Sequence, residues 1–245
     1  MNAHGLPRDI PDSIKREVRQ RCGFGCIICG SAVVQYHHFA PEYADAKEHR
    51  AEGIILVCGR CHSKVKQLGT AGIEKANALP FCKRVGVAKD DFLFQSSVVD
   101  FQIGSATFKR HAIIVYDNEP LIGFREPEDA NAPLRLSARL LDDNEEQLIE
   151  IVDNEWSVGV DFFDVETTGN SLTIRRKERD IVLRLILEEG KVILERMKMG
   201  YKGFRVSVEK NGLFVVRNPK GGTMKLVCPN IYSTLRLSSQ GGAGL

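Results

Sequence analysis

Nowhere in its 245 residues does this chain gather the roughly 20 consecutive apolar residues that a bilayer-spanning helix needs, and its N-terminus lacks the apolar stretch of a secretory signal. No membrane partner is expected, and the chain reads as cytoplasmic. The seven cysteines are an odd number in a chain long enough to build a core without staples, so a disulfide framework is disfavoured. There is one tryptophan, and the formal charge is only +2. No residue motif recurs at a fixed period, which ranks a solenoid below other β architectures. The small net charge conceals an uneven distribution. Residues 1–90 carry 14 Lys/Arg against 9 Asp/Glu, a surplus of five, whereas residues 91–245 carry 20 against 23. A polyanionic partner is expected at the first half, although from charge alone a solvated surface explains a surplus of this size equally well.

The cysteines themselves are informative. Cys26/Cys29 and Cys58/Cys61 form two Cys-x-x-Cys pairs at the ends of a 36-residue span. Four thiolates in two chelating pairs suit a structural Zn2+, which favours tetrahedral soft-sulfur coordination. Cys22 lies close by and reads as a buried helix residue. Between the pairs stand His37 and His38, and His62 follows the second pair directly.

Along the chain, Ile10-Pro11-Asp12-Ser13 signals a helix start, with Asp12 or Ser13 placed to accept a free backbone N–H. Ile14, Val18 and Cys22 recur at helical spacing, Lys15, Arg16, Arg19 and Arg21 lie on other faces, and Gly23 can close the helix. Val33 to Phe39 is β-branched and aromatic and predicts a strand, and Ile54-Ile55-Leu56-Val57 is a second short run. His62 to Leu68 predicts a helix ended by Gly69. The order is ββα.

At these residues the chain resembles the HNH endonucleases of the branch whose ββα-metal hairpin is held by a four-cysteine zinc. The resemblance rests on Arg19 to Gly30, on Tyr36-His37-His38, and on Ile54 to His62, and covers about residues 8–68. It implies a catalytic site that hydrolyses DNA phosphodiesters. His38 maps to the general base, and His37 and His62 to ligands of a catalytic divalent metal, Mg2+ or another. The basic helix and the helix after His62 would bracket the duplex against its minor groove, with Arg19, Arg60, Lys64 and Lys66 on phosphates. Two positions depart from the family pattern. Gly53 stands where an asparagine often orients the base, and Lys66 where a further metal ligand is often found. His49 and Glu52 are the side chains available as replacements, and a lone loop histidine such as His49 is more often a solvated surface residue.

The second half changes character. Phe92-Leu93-Phe94, Val98 to Ile103, His111 to Tyr116, Leu134 to Leu140, Gln147 to Val152, Ser171 to Arg175, Ile181 to Leu187, Val192 to Met197, Phe204 to Val208 and Leu213 to Val216 are apolar or alternating runs separated by turn signals. Strands at such intervals predict a mostly antiparallel sandwich, barrel or layered sheet. Asn211-Gly212 predicts a two-residue hairpin turn with positive φ at both positions. Trp156 reads as a core residue, and Asp161 and Asp164 as solvated strand-end acids.

The expected fold class is therefore α+β: a zinc-ribbon ββα-metal domain at residues 1–68, a helical linker at 69–90, a mostly antiparallel all-β recognition or regulatory domain at 91–237, and a disordered tail at 238–245. The leading function is a metal-dependent DNA endonuclease whose β domain takes a substrate, a protein partner or an activating ligand, consistent with a restriction, mobile-element or antiviral role. A nuclease-like zinc module that binds nucleic acid without cutting, and a zinc-stabilised interaction scaffold, are the alternatives. Oligomeric state and sequence specificity are not legible.

Overall fold

The structure, a computed structural model, describes residues 1–92, 99–125, 132 and 134–245; the predicted apolar positions Leu93, Phe94 and Val98 fall outside them. The chain is mixed α+β, mostly sheet with few helices, and divides into two compact units. One comprises Met1–Asp90 and Val158–Gly169, the other Asp91–Ser157 and Asn170–Leu245. Among the described residues, no helix is long and apolar enough to cross a membrane.

In the first unit, α1 (Asp12–Cys22) buries Val18 and Cys22 fully and Ile14 in part, the stripe expected from helical spacing. Gly23 closes α1 in the left-handed conformation at φ 70°. The N-terminus differs from expectation. Pro11 is the capping residue and no side chain caps it; the Pro11 carbonyl accepts the Lys15 N–H at 2.9 Å, while the Asp12 carboxylate lies 3.6 Å from Lys15 Nζ.

Strands β1 (Gln35–His38) and β2 (Ile54–Val57) pair antiparallel, with His37 opposite Ile55 and His38 opposite Ile54. All four β2 side chains are fully buried, so β2 is the unit's central element and needs an unbroken apolar run rather than an alternating one. It leads into α2 (Gly59–His62) and α3 (Val65–Ala78). Gly69, expected to end the helix, kinks it instead: at φ 61° and ψ 172° it leaves helical geometry, and α3 continues far enough to bury Ile73. Residues 69–90, expected as a linker, belong to this unit. They finish α3, form α4 (Phe81–Val85) and enter β3 (Val87–Asp91). Strand Asp164–Thr168 returns here from late in the chain.

The second unit holds two sheets. One runs in the order Ala243–Gly244, Leu235–Leu237, Ala112–Tyr116, Glu119–Arg125, Arg135–Leu141, Gln147–Val152, Glu155–Gly159. The other runs Ser171–Lys177, Asp180–Glu188, Lys191–Tyr201, Phe204–Val208, Phe214–Arg217, Thr223–Leu226, with Asp100–Ile103, Ala106–Phe108 and Cys228–Ile231 attached. The sheets meet through side chains such as Phe101 and Phe124, whose rings lie 5.7 Å apart. Pairing is mostly antiparallel, and Asp100–Ile103, Leu235–Leu237 and Cys228–Ile231 each join a neighbour in parallel.

Asn211-Gly212 lies in a hairpin, but not as a two-residue turn. Val208 pairs with Phe214, the Gly212 N–H donates to the Glu209 carbonyl, and only Gly212 has positive φ, so the connection is a longer turn with a bulge. Both-positive two-residue turns occur instead at Asp117-Asn118, Asp153-Asn154 and Lys202-Gly203. The tail expected to be disordered is seated: Ser238 N–H donates to the Gly242 carbonyl at 3.0 Å, and Ala243 and Gly244 pair with Leu237 and Arg236. Trp156 is buried against Phe92 as expected, with ring centroids 6.0 Å apart.

Candidate metal centre and histidine site

After α1 the chain folds into a knuckle. Cys26 N–H donates to the Ser31 carbonyl at 2.8 Å and Gly30 N–H returns to the Cys26 carbonyl at 2.9 Å. Gly25 and Gly30 are required here, because a Cβ at the first would lie 2.6 Å from Cys82 Sγ and at the second 2.5 Å from the Phe81 ring. Cys58 begins α2 and its carbonyl accepts the His62 N–H at 2.8 Å, which ties the second knuckle to the histidine that follows it.

The sulfurs of Cys26, Cys29, Cys58 and Cys61 all lie within 4.8 Å of one another, and Cys29 Sγ is 3.6 Å from Cys58 Sγ. Tetrahedral zinc with Zn–S bonds of about 2.3 Å spaces its sulfurs by roughly 3.8 Å, so the four thiols can hold such an ion with little adjustment. Burial and the neighbouring thiols of Cys29 and Cys26 raise the Cys61 pKa; a bound metal would displace the proton. Cys22 and Cys82 stand outside the cluster. Burial raises both thiols, Cys82 to about 12, so neither is poised as a thiolate.

His37 and His38 are neighbours on a strand, so their side chains project to alternate sides and meet different partners. His37 Nδ1 lies 3.1 Å from His62 Nε2, with the rings edge-on at 80°. Two nitrogens bound to one cation at about 2.1 Å are separated by roughly 3.0–3.4 Å, so this pair has the spacing of two ligands on a shared ion. Burial first, then the charge of His62, lowers the His37 pKa and keeps its imidazole available as a neutral ligand.

His38 Nε2 lies 2.9 Å from His49 Nδ1, and His49 Nε2 lies 3.1 Å from the Pro7 carbonyl. A carbonyl only accepts, so His49 Nε2 carries the hydrogen; in the tautomer that keeps its lone pair on Nδ1, His49 accepts there from His38 Nε2–H. His38 is thereby left with its lone pair on Nδ1. Burial, followed by the charges of His49 and His37, lowers its pKa below the ordinary 6.5.

No protein-family model, curated protein or solved structure matches this chain.

Arg19, expected on a phosphate, is instead an internal residue. Arg19 is 8% exposed: its Nε and Nη2 donate to the two Asp164 carboxylate oxygens at 2.8 and 2.7 Å, and Nη1 donates to Tyr36 Oη at 2.7 Å. Asp164, expected as a solvated acid, is buried for the same reason. The other α1 cations are also engaged within the unit. Lys15 pairs with Asp9, Arg16 lies over the Phe163 ring, and Arg21 donates to the Ala51 and Ile54 carbonyls and to Asn77. Helix α1 is thus a strut, and its positive residues are not a free face. Arg60, Lys64 and Lys66 are exposed, and their side chains make no hydrogen bond or ion pair among the described residues.

Gly53 is not a vacancy that any residue could fill. A Cβ there would lie 2.2 Å from the Ala40 carbonyl oxygen, and the Gly53 carbonyl accepts the Phe39 N–H at 2.9 Å. The hairpin closes too tightly for an asparagine, and His49 makes the contact to His38 from the intervening loop. Glu52, the other candidate, is exposed. Sequence reasoning undervalued His49 because its two partners, His38 and the Pro7 carbonyl, lie 11 and 42 residues away.

Proposed function

We propose that the chain is a metal-dependent endonuclease of the zinc-braced HNH type, hydrolysing phosphodiester bonds in DNA. The observation that carries this reading is that β1 sets His38 at 2.9 Å from His49 and His37 at 3.1 Å from His62 of α2, the residue that follows the last of four clustered cysteines. In this mechanism His38 Nδ1 takes a proton from the attacking water while its Nε2–H stays anchored on His49, so the ring need not reorient as it becomes positively charged. Its lowered pKa keeps the free base populated at neutral pH. His37 and His62 would hold a divalent cation, whose chemistry when bound would be to polarise the scissile phosphate and stabilise charge on the leaving oxygen. Exposed Arg60, Lys64 and Lys66 hold the backbone phosphates, contacts that position a duplex without reading its bases. Zn2+ on the four cysteines braces the scaffold.

One observation favours a second reading, a nucleic-acid-binding module that does not cut. Among the described residues, no His, Cys, Asp or Glu completes a group of three with His37 and His62, so the cation would rest on two imidazoles and water. Supercoiled-plasmid cleavage with Mg2+, Mn2+ or Ni2+, wild type beside His38→Ala, separates the two. Metal-dependent nicking that disappears in the variant is expected. Salt-sensitive DNA binding with no turnover in any metal would establish the second reading instead.

A further inference from the structure

The second unit contains a cavity of about 580 Å³ on the solvent face of the sheet formed by Asp180–Glu188, Lys191–Tyr201, Phe204–Val208 and Phe214–Arg217. Six cations line it: Arg179, Arg196, Lys198, Arg205, Lys210 and Arg217. Three acids, Asp143, Asp180 and Glu209, oppose them. This local excess of positive charge occurs in the half of the chain that is otherwise net acidic.

Internal pairing engages three of the six cations and leaves the other three. Lys198 pairs with Asp180, Arg217 with Glu209 at 2.9 Å, and Arg196 donates to the backbone carbonyls of Glu195 and Lys210. Arg179, Arg205 and Lys210 make no side-chain hydrogen bond or ion pair among the described residues. Arg205 is also directly opposite Arg217 in the strand register, an arrangement of like charges that destabilises a sheet unless something else offsets it. The Arg205 head group lies over Gly200, its partner on the other neighbouring strand, where a Cβ would come 2.4 Å from Arg205 Nη1 and 2.8 Å from the Asp142 carbonyl oxygen.

We infer that this cavity binds a phosphorylated small molecule of nucleotide size, with Arg205, Arg179 and Lys210 as its principal phosphate contacts. Arginine forks match phosphate oxygens, and guanidinium planes also stack on bases. The volume lies within the roughly 300–1,000 Å³ typical of small-molecule sites. The acids among the cations break any continuous positive track, which favours a compact ligand over a nucleic-acid strand. They also provide acceptors for sugar hydroxyls. This inference stands independently of the nuclease reading.

The test is isothermal titration calorimetry of the full chain with ATP, GTP and inorganic triphosphate, in low-salt buffer without chelator or added divalent metal. Saturable one-to-one binding of at least one probe is expected, weakened tenfold or more in Arg205→Glu/Lys210→Glu. Both positions are exposed, and circular dichroism checks that the variant keeps its fold. No saturable binding by any probe, or binding unchanged in the variant, would overturn the inference. So would a single-stranded 20-nucleotide oligomer that binds tenfold more tightly than every small probe and loses that binding in the variant, since the face would then be a strand-binding surface.

Discussion

Replacing Asp164 by alanine should be among the most damaging single changes to the first unit. The carboxylate makes a two-pronged contact to Arg19, with side-chain exposures of 9% for Arg19 and 2% for Asp164, and Glu166 is the other acid near the guanidinium at 3.6 Å. Burial opposes the charge, contact with Asp164 and Tyr36 outweighs it and raises the Arg19 pKa, and a guanidinium is basic enough to stay protonated even when those contacts are lost. Removing the acid leaves that cation buried beside Tyr36, partly exposed Glu166 and apolar neighbours. Breaking a buried pair in this way costs about 3–5 kcal/mol, a large part of the stability of a typical domain. At about 2–4 °C per kcal/mol for a chain of this length, Tm should fall by roughly 6–20 °C. Urea unfolding followed by far-ultraviolet circular dichroism measures the loss. The double variant Arg19→Met/Asp164→Leu should recover most of it, because an apolar pair of similar size carries no desolvation cost. A loss below about 1 kcal/mol in Asp164→Ala would refute the claim that Arg19 is structural and would return it to the phosphate-binding surface.

Four further outcomes follow from the site. Gly53→Asn, which would install the residue usual in the resembling family, should destabilise the hairpin by about 1–3 kcal/mol or more and should not raise cleavage, because its Cβ would collide with the Ala40 carbonyl; thermal unfolding and the plasmid assay check both parts. His49→Phe should lower kcat by about 10²-fold with little change in KM, since ground-state DNA contacts are untouched while the base loses its anchor; nitrogen-edited NMR of the His38 ring should show its Nε2–H tautomer giving way to a mixture. Because the His37 and His38 pKa values are lowered, the unfolded chain binds more protons below about 6.5 than the folded chain does, so this contribution to stability is present above that pH and lost as pH falls through it; cleavage should fall on the same acid side, and denaturation at pH 7.5 and 5.5 beside a pH–rate profile reads both. A thiol-reactive mercurial should release one zinc per chain and melt the helical signal of α1 and α3, leaving the β signal; metal release is read by a colorimetric chelator.

Much of the site was legible because its geometry is local. A Cys-x-x-Cys pair folds its own knuckle, an alternation of strand residues separates His37 from His38, and the helical spacing of Ile14, Val18 and Cys22 announces a buried stripe. Strand runs in the second half were readable for the same reason, whereas Glu119–Arg125 and Cys228–Ile231 escaped because Pro120 and Pro229 interrupt the pattern that marks a strand.

What remained hidden depends on contacts between residues far apart in the chain. Nothing near Arg19 distinguishes a phosphate-binding arginine from one that meets Asp164, 145 residues later, and the choice between them is a choice between surface and core. Gly53 looks like a missing asparagine until Ala40 is seen to occupy the space, and His49 looks like a solvated loop histidine until Pro7 orients it. The sequence by itself determined the residue types, the zinc-type spacing and the ββα order, since those follow from covalent spacing and backbone periodicity. Only the tertiary structure decided which charges are buried, which histidine meets His38 and where cations gather, because burial and hydrogen-bond partners are properties of packed neighbours that the linear order does not bring together.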